Sequence, residues 1–227
     1  MNYREGEVLL FDKPYKWTSF QLVNKVRWLL CRKFDWKKLK VGHAGTLDPL
    51  ATGLMVLCTG KATKQIPSLI GFDKEYIAEI KLGETTPSYD LETEVDNTYP
   101  TEHITRELFE SVLDSFKGEI DQVPPVFSAK QVNGTRAYEF ARKGIDLELK
   151  AAKVVINKLE IINFEMPYVS LLVSCSKGTY IRSLARDIGK LLNSGAYLSG
   201  LKRTRIGEYK LTDAISVENF EKSLSEM

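Results

Sequence analysis

The sequence predicts an α+β fold with a mixed, largely antiparallel sheet. Helical periodicities and strand alternations are interspersed along the chain without a regular βαβ repeat. No low-complexity linker or internal repeat interrupts them, and 227 residues fit one domain spanning 1–227.

The elements follow in order. Thr18 and Gln21 have the spacing of a capping box, and Phe20, Val23, Val26 and Leu30 recur at helical spacing, so a helix is expected over Ser19 to Lys33. Leu54 to Cys58 is a short apolar run that reads as a buried strand. Tyr76, Ala78, Ile80 and Leu82 alternate with Ile77, Glu79 and Lys81, a strand pattern over Glu75 to Leu82. Ile104 to Phe116 reads as a helix with Leu108, Val112, Leu113 and Phe116 on its inner face, closed by Gly118. Val123-Pro124-Pro125-Val126 is extended, because each residue preceding a proline avoids helical backbone. A short helix follows over Arg136 to Lys143, ended by Gly144. Val154 to Phe164 and Val169 to Cys175 read as paired strands, the second alternating Val169, Leu171, Val173 and Cys175. Ile181 to Leu192 is a helix with Ile181, Leu184, Ala185 and Ile188 inward, Ala196 to Tyr209 is extended, and a last helix lies near Val217 to Leu224.

Composition narrows the class. With 43% hydrophobic and 27% charged residues the chain is an ordinary globular protein. No apolar run reaches the roughly 20 residues of a membrane span, and the polar N-terminus lacks a signal-peptide core. Cys31, Cys58 and Cys175 lie far apart in apolar surroundings, which points to buried thiols in a reducing, cytoplasmic compartment. His43 and His103 are the only histidines, too few for a histidine-based metal site. The net charge of +2 hides polarity. Lys25, Arg27, Arg32, Lys33, Lys37, Lys38 and Lys40 face only Asp35, whereas Glu84 to Asp121 is acidic. Such a basic stretch, interleaved with Trp28, Phe34 and Trp36, suits a nucleic acid, although taken alone it reads better as solvated helix and loop faces, with Trp28 open to a core reading.

The densest signal is Gly42-His43-Ala44-Gly45-Thr46-Leu47-Asp48-Pro49-Leu50-Ala51-Thr52-Gly53-Leu54. Glycines and a proline specify the backbone tightly, and Leu47, Leu50 and Leu54 pull the turn towards the interior. Asp48 is then either a turn aspartate bonding nearby N–H groups or a functional carboxylate that a cation must answer. Arg182 falls in the first turn of its helix, where the dipole disfavours a cation, and is the candidate counterion. Tyr76 and Tyr180 each read as core tyrosines or as platforms for a base. Gly60-Lys61-Ala62-Thr63-Lys64 lacks the spacing of a phosphate loop, leaving Lys61 and Lys64 as point charges for phosphate or as solvated lysines.

Taken in order, these segments resemble the bacterial tRNA pseudouridine-55 synthases, the TruB family. The resemblance rests on Asp12-Lys13-Pro14, the Asp48 segment, Lys61 to Lys64, Lys74-Glu75-Tyr76, Val123 to Lys130, Arg136 to Glu139, Lys177 to Leu184 and Leu201 to Gly207. It implies the pseudouridine-synthase fold with a catalytic cleft, and conversion of a uridine in the T-loop of tRNA to pseudouridine without cofactor or metal. By position it makes Asp48 the catalytic aspartate, Arg182 its partner, Tyr76 the aromatic against the target base and Tyr180 a neighbour. Leu201 becomes an apolar wall, and His43 fills the space left by the extruded nucleotide. The segment of about 124–144, with Lys130, matches an insertion that clamps the RNA stem-loop. Gln131 stands where the family often has lysine, and only about twenty residues follow Ile206, too few for the C-terminal RNA-binding domain of better-known members. Recognition is therefore expected to rest on the catalytic domain and the T-arm.

Overall fold

The computed structural model describes residues 2–226 except 129, 133, 143, 144, 146 and 148. Along the chain run β1 (Val8–Lys13), α1 (Ser19–Lys33), β2 (Val41–His43), β3 (Ala51–Thr59), α2 (Ile66–Ile70), β4 (Lys74–Leu82), β5 (Glu84–Thr85), β6 (Asn97–Thr98), α3 (Arg106–Asp114), β7 (Gly118–Gln122), β8 (Gln131–Val132), β9 (Thr135–Arg136), α4 (Ala137–Arg142), β10 (Ala152–Glu165), β11 (Tyr168–Cys175), α5 (Ile181–Leu191), β12 (Ala196–Ile206), β13 (Tyr209–Lys210) and α6 (Val217–Ser225). The expected helix end at Lys143 and Gly144 lies outside the described residues. Two compact units divide the chain, one of Met1–Tyr76 with Leu201–Met227, the other of Ile77–Gly200.

In the first unit β1 and β2 both pair antiparallel with β3, and β12 pairs with β3 in parallel. β3 is buried along almost its whole length, which is why its sequence reads as a continuous apolar run and not as an alternation. One face of the strands packs Leu54, Val56 and Cys58 with Ala44, Leu69 and Ile206. On β1, Phe11 meets Phe220 of α6 edge to face at 5.1 Å. α1 starts where expected, because Thr18 caps the Gln21 amide while the Gln21 side chain returns to the Thr18 amide. Trp28 is not core: it is 48% exposed, flanked by Lys25 and Arg32 over its ring. Cys31 is half-buried, unlike Cys58 and Cys175.

In the second unit β10 pairs antiparallel with β7 on one side and β11 on the other. Val169, Leu171, Val173 and Cys175 of β11 are buried as their alternation requires. The inner face of α3 differs from expectation. Phe109 and Leu113 are buried and Leu108 is exposed, because Phe109 packs against Phe164 of β10 at 5.6 Å. Thr105, not Ile104, begins the helix by accepting the Leu108 amide. Gly118 opens β7 instead of closing α3, and the run from Ala196 breaks at Gly207 between β12 and β13.

Gly53 shows why the turn into β3 is so particular. Its φ of 99° is a conformation that L side chains rarely adopt, and a Cβ there would fall on the Arg203 backbone of the neighbouring strand. Gly53→Ala is expected to lower stability by about 3 kcal/mol. Urea unfolding of the two proteins checks it, and an unchanged midpoint would contradict the tight approach of β12 to β3.

Candidate active site

Asp48 sits half-buried in the turn between β2 and β3, with its carbonyl accepting the Ala51 amide at 3.1 Å. Three side chains build that turn. Ser19, at the start of α1, donates to the Leu47 carbonyl at 2.9 Å and accepts the Leu47 amide at 2.8 Å, pinning the residue before the aspartate. Lys13, fully buried at the end of β1, donates to the carbonyls of Pro14, Trp17 and Pro49 at 3.0, 2.5 and 3.3 Å. Burial pushes its ammonium down to about 8, with the Asp48 carboxylate acting in the opposite direction. Arg203 of β12, 1% exposed, donates to the Leu54 carbonyl at 2.8 Å, the Thr46 carbonyl at 3.4 Å and the Gly45 carbonyl at 3.1 Å. Its guanidinium also bonds the Tyr76 hydroxyl. Burial works against the charge of Arg203, so these acceptors on every side are what make a buried cation tolerable.

The other expected residues of this unit gather around the same strands. Tyr76 is buried on β4, 8% exposed, and fixed through Arg203. Leu201 lies opposite Ala51 in the parallel register of β12 and β3, beside the strand that leaves the Asp48 turn. His43 ends β2, and its Nδ1 is buried without a partner among the described residues. Lys61 and Lys64 are exposed in the short turn of helix after β3, and Lys61 pairs with exposed Glu5 at 2.5 Å. Such a pair contributes little and is easily exchanged for a phosphate.

Burial lowers the proton affinity of His43, the nearby Gly45 backbone opposing and the charge of Arg203 reinforcing that shift. The sign follows. The folded state holds the imidazole proton less tightly than the unfolded chain, so this group supports the fold near neutrality and costs stability as pH falls below about 6.5. His43→Asn is expected to shrink the loss of urea midpoint between about pH 7 and pH 5. An equal loss in both proteins would rule out a buried neutral imidazole.

In the second unit Arg182 is 4% exposed at the first turn of α5. Its Nε faces Asp90 Oδ2 at 3.5 Å, one terminal nitrogen donates to the Ser88 carbonyl at 3.2 Å and the other to the Phe127 carbonyl at 2.8 Å. Asp90 is itself held. Its Oδ1 accepts the Glu92 amide at 2.9 Å, and its carbonyl accepts the Thr86 hydroxyl at 2.7 Å. Tyr89 before it takes a φ of 62°, strained for a tyrosine, and its ring carries Arg186 at 5.0 Å. Tyr180 precedes α5 with its amide and carbonyl both bonded to the Gln122 side chain, at 2.8 and 3.1 Å. Lys130 donates to the Lys150 carbonyl at 3.2 Å.

Lys13, Ser19 and Arg203 in the first unit, and Asp90 in the second, are residues to which the sequence assigned no role at a site. Lys13 and Arg203 lie inside the segments that carry the resemblance, and a turn signal, Pro87-Ser88, precedes Asp90 by two residues.

The family model described as "TruB family pseudouridylate synthase (N terminal domain)" matches residues 32–181. The chain belongs to the TruB family. A second TruB model, described as "tRNA pseudouridylate synthase B C-terminal domain", matches residues 182–226. A protein of Phocaeicola vulgatus named tRNA pseudouridine synthase B is 62% identical over 220 residues, 97% of this chain and 94% of that protein. Its namesake in Flavobacterium johnsoniae is 55% identical over 223 residues, 98% of this chain and 97% of that protein. Among solved structures, a Cbf5-Nop10-Gar1 complex superposes with a TM-score of 0.71 at 27% identity, covering 97% of this chain and 54% of the longer one. The mixed, mostly antiparallel sheet is the α+β architecture expected from the sequence.

Proposed function

We propose that the protein converts uridine to pseudouridine in tRNA, acting on the uridine at position 55 in the T-loop of the T-arm. The observation that carries this reading is the construction around Asp48. Three buried side chains from β1, α1 and β12 hold one turn, an investment that mere binding of RNA does not require. Kinship to proteins named tRNA pseudouridine synthase B supplies the reaction.

The reaction is an isomerisation. The N1–C1′ bond breaks, the uracil turns, C5 bonds to C1′, the C5 proton leaves and N1 takes one up. Oxidation state is unchanged and no group is lost, so the chemistry consumes no cofactor. The target base must leave the stack, at a cost of a few kcal/mol, which the pocket repays by packing it. Asp48 is assigned as the ionised catalyst, whether it attacks C1′ or C6 or removes the C2′ proton. Tyr76 is assigned the face of the base and Leu201 the apolar wall. His43 takes the place of the extruded nucleotide in the stack, and its neutral imidazole suits an apolar slot between bases. By resemblance alone, Arg182 is assigned to charge support of the carboxylate and Tyr180 to its neighbourhood. Lys61, Lys64 and Lys130 are assigned to phosphates, joined by the exposed cations Lys37, Lys38 and Lys40 ahead of β2. No described helix is long and apolar enough to cross a membrane.

Incubation with a T-arm hairpin tritiated at uridine C5 tests the proposal. Release of tritium to water by the wild-type protein supports it, and retention of the label would reject it.

A further inference from the structure

The stem of the insertion, 122–128, is fastened to α5 at several points. Gln122 clasps the Tyr180 backbone, and the Val123 carbonyl accepts the Ser183 hydroxyl at 2.8 Å and Arg186 at 3.2 Å. The Phe127 carbonyl accepts Arg182. The next residue breaks this pattern. Ser128 is 4% exposed and its amide bonds the Val126 carbonyl at 2.9 Å, yet its hydroxyl has no partner among the described residues.

A buried hydroxyl left unpaired costs stability, and alanine would fill the same space without that cost. The bonds at Gln122, Val123 and Phe127 and the Ser128 amide hold the backbone on either side of this hydroxyl. A hydroxyl buried in such a place is best explained by a group that arrives later. Adjacent Phe127 is bound to Arg182, which ties this hydroxyl to the chemistry assigned to α5.

We propose that the Ser128 hydroxyl is a substrate contact that hydrogen-bonds the extruded nucleoside and contributes to its selection. This rests on the function proposed above. The partner is a hydrogen-bonding group of the nucleoside, either the imide edge of the uracil or the ribose 2′-hydroxyl, both of which match a hydroxyl that donates and accepts.

Ser128→Ala decides between a contact and a packing defect. The expected result is a kcat/KM on the T-arm hairpin lowered about tenfold with a melting temperature unchanged or raised. In an Asp48→Asn background, where bound RNA is not converted, dissociation constants are then compared for hairpins carrying uridine, 2′-deoxyuridine or N3-methyluridine at the target. The penalty of Ser128→Ala should vanish on the 2′-deoxy hairpin if the ribose is the partner, or on the N3-methyl hairpin if the imide is. An unchanged kcat/KM, or an equal penalty on all three hairpins, overturns the contact. Failure of the underlying function would show separately, as absent tritium release by the wild-type protein.

Discussion

Asp48→Asn is expected to lower tritium release from the T-arm hairpin by roughly 10³-fold or more, with RNA affinity nearly unchanged. The amide keeps the size of the side chain, and Ser19, Lys13 and Arg203 bond the backbone of the turn. What is lost is the charge that all three chemical routes require. Single-turnover rates and a filter-binding constant separate the two effects. An asparagine protein that retains more than about a tenth of the wild-type rate would remove Asp48 from the chemistry.

Asp90→Asn is expected to produce the second large effect, a kcat about 10²-fold lower with KM little moved. Asp90 faces Arg182 at 3.5 Å where both side chains are buried. A guanidinium in that setting is aimed by its acceptors, and neutralising one frees it to turn towards the Ser88 and Phe127 carbonyls alone. Asp90→Ala should go further and destabilise the fold by about 3 kcal/mol, since it deprives a buried cation of an anion. Rescue of most of the rate by Asp90→Glu would show that charge, not shape, is the requirement. Wild-type turnover in Asp90→Asn would confine the pair to a structural role.

What could be read from the chain depended on how locally each feature is encoded. The bounds of α1 were legible because its cap and most of its apolar period lie within a few positions of one another, although Phe20 of that period is exposed. β11 was legible because alternation is a nearest-neighbour property. α3 was found but turned, since Leu108 and Phe109 are both apolar and only Phe164, far along the chain, decides which one faces inward. The same limit applies to the candidate site. Asp48 announced itself through glycines and a proline beside it. Arg203 reaches a carbonyl 158 positions earlier, and Arg182 one 94 positions earlier, separations across which no periodicity carries a signal. Asp90 was hidden in a stretch that reads as merely acidic, and only the arginine against it sets it apart from its neighbours.

Arg203 has a consequence for how this molecule wears out. Its side chain grips oxygens before and after the aspartate while its own backbone is laced into β12. The loop bearing the acid therefore cannot fray by itself, as most surface connections do. Its amide protons should exchange with deuterated solvent only on the slow schedule of the sheet. Warming would then leave Asp48 in place until the whole unit melts, with no intermediate in which the scaffold survives and the acid has drifted.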